Sequence, residues 1–312
     1  MKVVVTGGAG FIGANLCRQL LAVDATTEVV ALDDLSTGNA ANLDGVDVTL
    51  VEGSILDADV LDACLDGASA VVHLAARGSV PRSVKDPVAT HRVNATGTLE
   101  VLEAARRAGN PHVLLASSSS VYGANPTIPK HEDLATLPMS PYAASKLATE
   151  TYALAYQAVY DLPVLAFRFF NVFGPLQPAG HAYAAVVPAF VAAALAGAPL
   201  PVHGDGTQSR DFTFVETVCR VITDAIDRQV TYPGPVNLAF GSRTDLNAVI
   251  AELGQILGVD LAVEHQPNRA GDVPHSQADS SRLRSLFPDV EPVALTDGLA
   301  RTVAWFRTLP VA

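Results

Sequence analysis

One junction near the N-terminus constrains the fold more than any other stretch of the chain. Val3-Val4-Val5-Thr6-Gly7-Gly8-Ala9-Gly10-Phe11-Ile12-Gly13 reads as a buried strand, a tight turn and the start of a helix. Gly7 permits the turn, Gly10 lets backbone approach a pyrophosphate, and Gly13 lets the helix pack closely on the strand. The phosphate charge would then face the helix N-terminus and its free N–H groups. A second apolar run, Glu28–Asp33, ends in Asp33, twenty residues after Gly13. A carboxylate there accepts both hydroxyls of an adenosine ribose and repels a 2′-phosphate, which favours NAD over NADP.

The rest of the first half repeats this rhythm. Lys2–Thr6, Glu28–Asp33, Asp47–Val51, Ala70–Leu74, His112–Ser117 and Pro163–Phe169 read as strands, and their continuous apolar character marks strands covered on both faces. Helical patterns lie between them at Phe11–Val23, Asp57–Cys64, Val88–Ala108 and Pro141–Tyr160. Alternating β and α elements predict an α/β fold with a doubly wound parallel sheet. After Arg168 the segments shorten and Gly- and Pro-rich loops appear. With 312 residues, the chain is expected to form two unequal domains. The first covers 1–168 and a return segment near 212–241. The second, a smaller α/β substrate domain, covers 169–211 and 242–312.

Composition excludes some partners. The formal net charge of −12 argues against nucleic acid and anionic membrane, both of which need a basic footprint. Ala182–Leu200 lacks charge but holds Pro188, Gly197 and Pro199, so it reads as a buried or half-buried helix and not as a membrane span. Three widely spaced cysteines give neither a disulfide framework nor a zinc spacing. With no secretory pattern after Met1, a reducing, cytoplasmic setting is expected. In that setting Asn94-Ala95-Thr96 is not read as a glycosylation site, and His181, His203, His265 and His275 do not form a metal spacing.

Tyr142-Ala-Ala-Ser-Lys146 opens a helix after Pro141, so Tyr and Lys share one face. A tyrosine is a weak base at neutral pH, and a nearby ammonium is expected to favour its phenolate. Upstream, Ser117-Ser118-Ser119-Ser120-Val121-Tyr122-Gly123 follows a strand, which sets hydroxyls at the C-terminal sheet edge where open α/β folds bind ligands.

With these residues in this order, the chain resembles the extended short-chain dehydrogenase/reductase family. The likeness spans the glycine turn, Asp33, His73-Leu74-Ala75-Ala76, Asn94, the serine run, Tyr142 and Lys146, and Arg168-Phe169-Phe170-Asn171-Val172-Phe173-Gly174-Pro175. It implies that Tyr142 is the acid/base, that Lys146 binds the nicotinamide ribose and tunes Tyr142, and that Ser118, with Ser119 and Ser120 as the alternatives, bonds the reacting oxygen. It further implies an NAD site from Gly7, Gly10, Phe11, Ile12, Gly13, Asp33, Asp34, Ser36, Thr37, Gly38, Ser54, Ile55, Leu74, Ala75, Ala76 and Asn94, together with Tyr142 and Lys146. The family often has Gly-Asp after the third strand, whereas this chain has Gly53-Ser54-Ile55, so the adenine contact is expected to be weaker or made by backbone.

The serine run separates reactions. Sugar 4,6-dehydratases carry Thr-Asp-Glu there, and Ser118-Ser119-Ser120 supplies no carboxylate for removing water. The serine form is similar to that of UDP-sugar 4-epimerases. These transiently oxidise C4, rotate the 4-keto sugar and reduce its other face. The alternatives are a UDP-glucuronate or other NDP-sugar epimerase and a net NDP-sugar oxidoreductase. The resemblance also implies a substrate site from Gly78, Ser79, Ser118, Ser119, Tyr142, Asn171, Ala185, Val186, Val187, Val202, His203, Arg210, Arg269, Asp272 and Ser276. Arg210 and Arg269 would clamp the diphosphate, and Asp272 would accept a ribose hydroxyl. Relatives pair helices like Val88–Ala108 and Pro141–Tyr160 into a dimer interface, so the resemblance also implies a homodimer.

Gly78-Ser79-Val80-Pro81-Arg82-Ser83 and His181-Ala182-Tyr183-Ala184-Ala185-Val186-Val187-Pro188 resemble the members acting on UDP-N-acetylglucosamine. Glucose-restricted members carry Tyr where this chain has Ser276, and a small residue leaves volume for an acetamido group. Ser276→Tyr is therefore expected to cut turnover of UDP-N-acetylhexosamine far more than that of UDP-hexose. Parallel assays of the two substrates check it, and an equal response removes the gate.

Overall fold

The computed structural model describes residues 1–23, 26, 28–179, 185–267 and 274–309. Seven strands form the central sheet: β1 (Lys2–Thr6), β2 (Glu28–Asp33), β3 (Thr49–Glu52), β4 (Ala70–His73), β5 (His112–Ser118), β6 (Val164–Phe169) and β7 (Pro235–Leu238). They lie in the order β7-β6-β5-β4-β1-β2-β3, all parallel. The winding reverses between β1 and β4, which places the ligand crevice beyond their C-terminal ends.

The apolar runs are covered on both faces. Val3 and Val5 of β1, Leu114 of β5 and Phe167 of β6 join a buried cluster with helices Phe11–Leu21 and Val215–Asp227. Val4, Val113, Leu115 and Ala166 point the other way, into a cluster with helices Ala58–Leu65, Gly97–Arg107 and Pro141–Tyr160. Each fully buried Val contributes roughly 1.5–3 kcal/mol. The first cluster continues without a break into the C-terminal part of the chain through Phe190, Leu246, Val249 and Leu299.

Three expected elements differ in extent. The third strand is Thr49–Glu52, two residues later than its apolar start suggested. The alanine-rich stretch forms helix Val186–Leu195, after which Leu200–His203 becomes a strand paired with Val263–Gln266. Its residues 182–184 lie outside the described residues. The single helix expected over Val88–Ala108 is three pieces: Pro87–His91, a π turn at Arg92–Thr96, and Gly97–Arg107. In that turn the Gly97 N–H donates to the Arg92 carbonyl, five residues back. The Asn94 carbonyl accepts the hydroxyls of Thr98 (2.5 Å) and Thr149 (2.9 Å).

The glycine turn is set by close approach. Gly7 has φ +71°, and a Cβ there would lie 2.8 Å from the Ala75 nitrogen. At Gly13 a Cβ would lie 2.1 Å from the Gly7 carbonyl oxygen, whereas at Gly10 it meets that oxygen at 3.2 Å and nothing else. Gly13→Ala is thus expected to lower stability by about 2–3 kcal/mol. Gly10→Ala should fold but lose bound dinucleotide. Denaturant unfolding and the dinucleotide released on denaturation check both.

Candidate functional site

The turn and Asp33 form one unit at the C-terminal end of β1 and β2. Gly7 donates its N–H to the Leu32 carbonyl (2.7 Å). The buried Asp33 carboxylate accepts the N–H groups of Ala9 (3.0 Å) and Leu35 (2.9 Å). Burial pushes its pKa above the usual carboxylate range, and the Leu35 and Ala9 N–H groups oppose that shift. Gly38 passes so close that a Cβ would meet the Asp33 carboxylate at 2.7 Å. Between them, Asp34 accepts both the N–H and the hydroxyl of Ser36, and Thr37 is exposed. Phe11 and Ile12 open the helix at Gly10, and no side chain caps that N-terminus.

The other predicted cofactor residues ring the same edge. Leu74, Ala75 and Ala76 follow β4, with Leu74 and Ala75 donating to the Thr6 carbonyl (3.1 Å) and hydroxyl (3.3 Å). Ser54 and Ile55 follow β3. The Ser54 hydroxyl accepts the Leu56 N–H, and Ile55 is buried against Gly97. These features suit a dinucleotide: a capless helix start for phosphate, open space at Gly10, and a carboxylate at the end of β2.

Helix Pro141–Tyr160 is held to β5 at three successive turns. Tyr142, Lys146 and Glu150 are four residues apart and share a face. The Tyr142 hydroxyl lies beside Ser118, whose side chain favours its ionised form. The Lys146 ammonium donates to the Ala116 carbonyl at 2.7 Å, and Glu150 accepts the Ser117 hydroxyl at 2.8 Å. From β6, Arg168 clamps Glu150 with two bonds of 2.9 and 2.6 Å, both side chains being about 4% exposed. The Arg168 guanidinium also lies 4.7 Å from the centre of the Tyr122 ring. The four serines therefore diverge: Ser117 faces Glu150, Ser118 faces Tyr142, and Ser120 donates its N–H and hydroxyl to Ser118. Ser119 starts the short turn Ser119–Tyr122.

The electrostatics of the pair differ from expectation. Burial pulls Lys146 down to about 8 and pushes Tyr142 above the ordinary tyrosine value, the Ser118 side chain partly opposing the rise. The expected lowering of Tyr142 by Lys146 is absent from the protein alone. The ammonium is committed to the Ala116 carbonyl, and desolvation dominates at the hydroxyl.

A buried brace supports the helix from the other side. Asn94 receives the Arg77 N–H (2.7 Å) and donates to Ser145 (2.9 Å) and the Arg77 carbonyl (3.3 Å). Its amide hydrogens are thus committed to protein, and Asn94 links the 77 loop to the Tyr142 helix. His73 bridges Thr6 and Thr98, and burial with the Lys146 charge brings it down to about 3, so it is neutral. Gly78 and Ser79 lie beyond this point, where Ser79 caps helix Val80–Lys85. Ser83 from that helix accepts the Tyr142 backbone N–H at 3.0 Å.

Asn171, Ala185, Val186, Val187, His203 and Arg210 all line a cavity of about 440 Å³, joined by Gln177, Gln208, Phe212 and Gln266. Val202 does not: its strand alternates, and the side chain is fully buried in the apolar core. The Arg210 guanidinium donates to the carbonyls of Ser209 (2.9 Å) and Pro274 (3.1 Å). Ser276 is buried and donates its N–H to the Ser209 carbonyl. Arg269 and Asp272 lie outside the described residues, as do His181 and Tyr183. Among the described residues, no group of three or more His, Cys, Asp or Glu is placed to hold a metal.

The sequence reading passed over Glu150, Ser83, Asp211 and the cavity glutamines. Glu150 carried a legible signal, since it continues the four-residue spacing of Tyr142 and Lys146. The glutamines carried none, because they meet only through pairings between distant segments.

A profile of the NAD dependent epimerase/dehydratase family matches residues 3–239. A UDP-glucose 4-epimerase of Mycolicibacterium smegmatis is 39% identical, covering 98% of this chain and 99% of its own. The structure of a UDP-N-acetylglucosamine 4-epimerase from Methanobrevibacter ruminantium, in complex with UDP-N-acetylmuramic acid, superposes with a TM-score of 0.92 at 36% identity, over 98% of each chain. A dTDP-glucose 4,6-dehydratase from Streptomyces venezuelae, with NAD bound, gives 0.89 at 35% identity, over 98% of this chain and 97% of that one.

The Arg168–Glu150 pair can be tested apart from chemistry. Glu150→Ala strands a buried guanidinium and should cost about 3–5 kcal/mol, and the Glu150→Leu/Arg168→Met double variant should recover most of it. Denaturant unfolding of the three proteins checks the ordering.

Proposed function

Because the chain belongs to the NAD-dependent epimerase/dehydratase family and uses NAD, we propose that it interconverts the C4 epimers of a UDP-hexose, UDP-N-acetylglucosamine and UDP-N-acetylgalactosamine among them. The observation that carries this reading is the hydroxyl pair at the end of β5, where Ser118 stands beside Tyr142 with no free carboxylate in the serine run. A dehydratase needs an acid or base to remove water. Here the neighbouring Glu150 is already held by Arg168 and Ser117. A dTDP-glucose 4,6-dehydratase among the relatives makes that contrast informative.

In this mechanism Tyr142 takes the proton from the sugar O4 and later returns it, while Ser118 donates to the same oxygen. The Gly7–Gly13 turn, Asp33 and Lys146 would hold NAD, which would supply a reversible hydride acceptor for C4. The Tyr142 hydroxyl must reach the phenolate against the upward push of burial, so the ligands that fill the crevice have to supply the favourable charge. Lys146, near 8, is protonated or close to it at neutral pH and is placed to serve as a ribose donor. Asn171 and Arg210, on the cavity wall, hold the diphosphate while the 4-keto sugar turns about it. Ser276 leaves room for the acetamido group. In this reading the cofactor part is 1–168 with 212–241 and the substrate part is 169–211 with 242–312. Exposed Val84, Val88, Tyr152 and Val159, on the helices beside Tyr142, suit a homodimer.

Tyr142→Phe is expected to lower turnover by about 10²–10⁴-fold while leaving a folded protein that still contains NAD. Chromatography of UDP-GlcNAc, UDP-GalNAc, UDP-Glc and UDP-Gal reactions, with NADH absorbance followed in parallel, provides the measurement. An equilibrium mixture of C4 epimers without accumulated NADH is the expected result. Sustained NADH formation, or loss of water from the sugar, would overturn the epimerase assignment.

A further inference from the structure

Asp211 sits at a crossing of four chain segments and takes no part in the chemistry described so far. It is fully buried. Its carboxylate accepts the N–H of Gly241 (3.0 Å), the hydroxyl of Ser242 (2.8 Å) and the N–H of Ala278 (3.1 Å). All three are neutral donors. Its own carbonyl receives the N–H (3.2 Å) and the side-chain amide (3.3 Å) of Asn171. Burying a carboxylate among neutral donors is costly, and burial does push this carboxyl above its usual range, opposed by the Ala278, Ser242 and Gly241 bonds. A neutral residue would avoid that cost, so the feature calls for a reason in geometry.

The bonds trace a path to the substrate cavity. Ala278 is pinned by Asp211, and its segment runs back through Ser276, whose N–H meets the Ser209 carbonyl at 3.0 Å, to Pro274. The Pro274 carbonyl accepts the Arg210 guanidinium. Asn171, which hangs on the Asp211 carbonyl, lines the same cavity as Arg210. The buried carboxylate thereby fixes the 274–278 segment that holds Arg210, while the backbone of the same residue holds Asn171. We propose that Asp211 is a positioning residue for the diphosphate end of the substrate, acting through Arg210 and the 274–278 segment; this role rests on the UDP-sugar reading above.

The test is calorimetric titration of the NAD-containing enzyme with UDP, using the wild type, Asp211→Ala, Asp211→Asn, Arg210→Ala and the Asp211→Ala/Arg210→Ala double variant. Asp211→Ala should weaken UDP binding about tenfold or more, because three donors lose their acceptor. Asp211→Asn keeps an oxygen for the two N–H groups and turns its amide to the Ser242 hydroxyl, so it should stay within about threefold of wild type. In the Arg210→Ala background, loss of Asp211 should weaken binding by no more than about twofold, since both act on one contact. NAD content should be unchanged throughout. Full additivity of the two losses, a parallel loss of NAD, or wild-type affinity in Asp211→Ala would each overturn the role. Should Asp211→Ala not fold, Ser242→Ala carries the test. It is an exposed residue that removes one donor, with an expected weakening of about threefold that disappears when Arg210 is absent; no weakening overturns the role. A wild-type enzyme that does not bind UDP overturns the substrate reading itself and this role with it. Wild-type binding that Asp211→Ala leaves intact overturns only the role.

Discussion

The Arg168–Glu150 pair is the constraint from which the geometry of the Tyr142 helix follows. Two buried charges would be expensive apart, so β6 and the helix cannot slide past each other without breaking a bidentate contact. With Glu150 fixed, the four-residue spacing brings Lys146 and Tyr142 to the end of β5, opposite Ala116 and Ser118. Ser83 holds the Tyr142 backbone from another helix, and Asn94 fixes the loop that approaches it. The Tyr142 and Ser118 hydroxyls lie at the sheet edge because the groups beneath them are held by buried bonds.

Electrostatics in this molecule are local. The chain carries a net charge of −12 yet belongs to a family whose ligands hold diphosphates. Bulk charge governs the approach of polyanions, whereas a small nucleotide meets a few oriented donors inside a crevice. The uncapped start of helix Phe11–Leu21 offers such donors, and the proposed function adds the Arg210 guanidinium. The same locality explains Tyr142 and Lys146: each loses hydration in the crevice, and each moves toward its neutral form.

The sheet was legible because its signals are short-range. Apolar runs, a glycine turn and Asp33 are contiguous in sequence, and six of the seven strands follow from them within two residues at either end. Tyr142 and Lys146 were legible for a related reason, since helical spacing converts sequence distance into a shared face. The expectation for Val88–Ala108 failed because periodicity does not reveal an extra residue in a turn. The substrate side was harder. Asp211 looks like one residue of an arginine–aspartate pair, and only the pairing of 209–212 with 241–242 and 274–278 shows what it binds. Lowering of Tyr142 by Lys146 was a sound pairwise argument that desolvation outweighed.

The π turn at Arg92–Thr96 has a consequence for how such a chain can change over evolutionary time. A π turn holds one residue more than an α turn, and each helical residue rotates the chain by about 100°. Deleting one residue there would restore a regular helix while leaving Gly97–Arg107 on its buried face. The carbonyl now shared by Thr98 and Thr149 would be drawn back into the helical ladder, and Asn94 would turn from Arg77 and Ser145. Elsewhere in the helix a deletion would misalign the core and be purged for stability. At this turn it would be tolerated by the fold and felt only by the loop that approaches Tyr142, which makes these five residues a place where length variation can uncouple folding from activity.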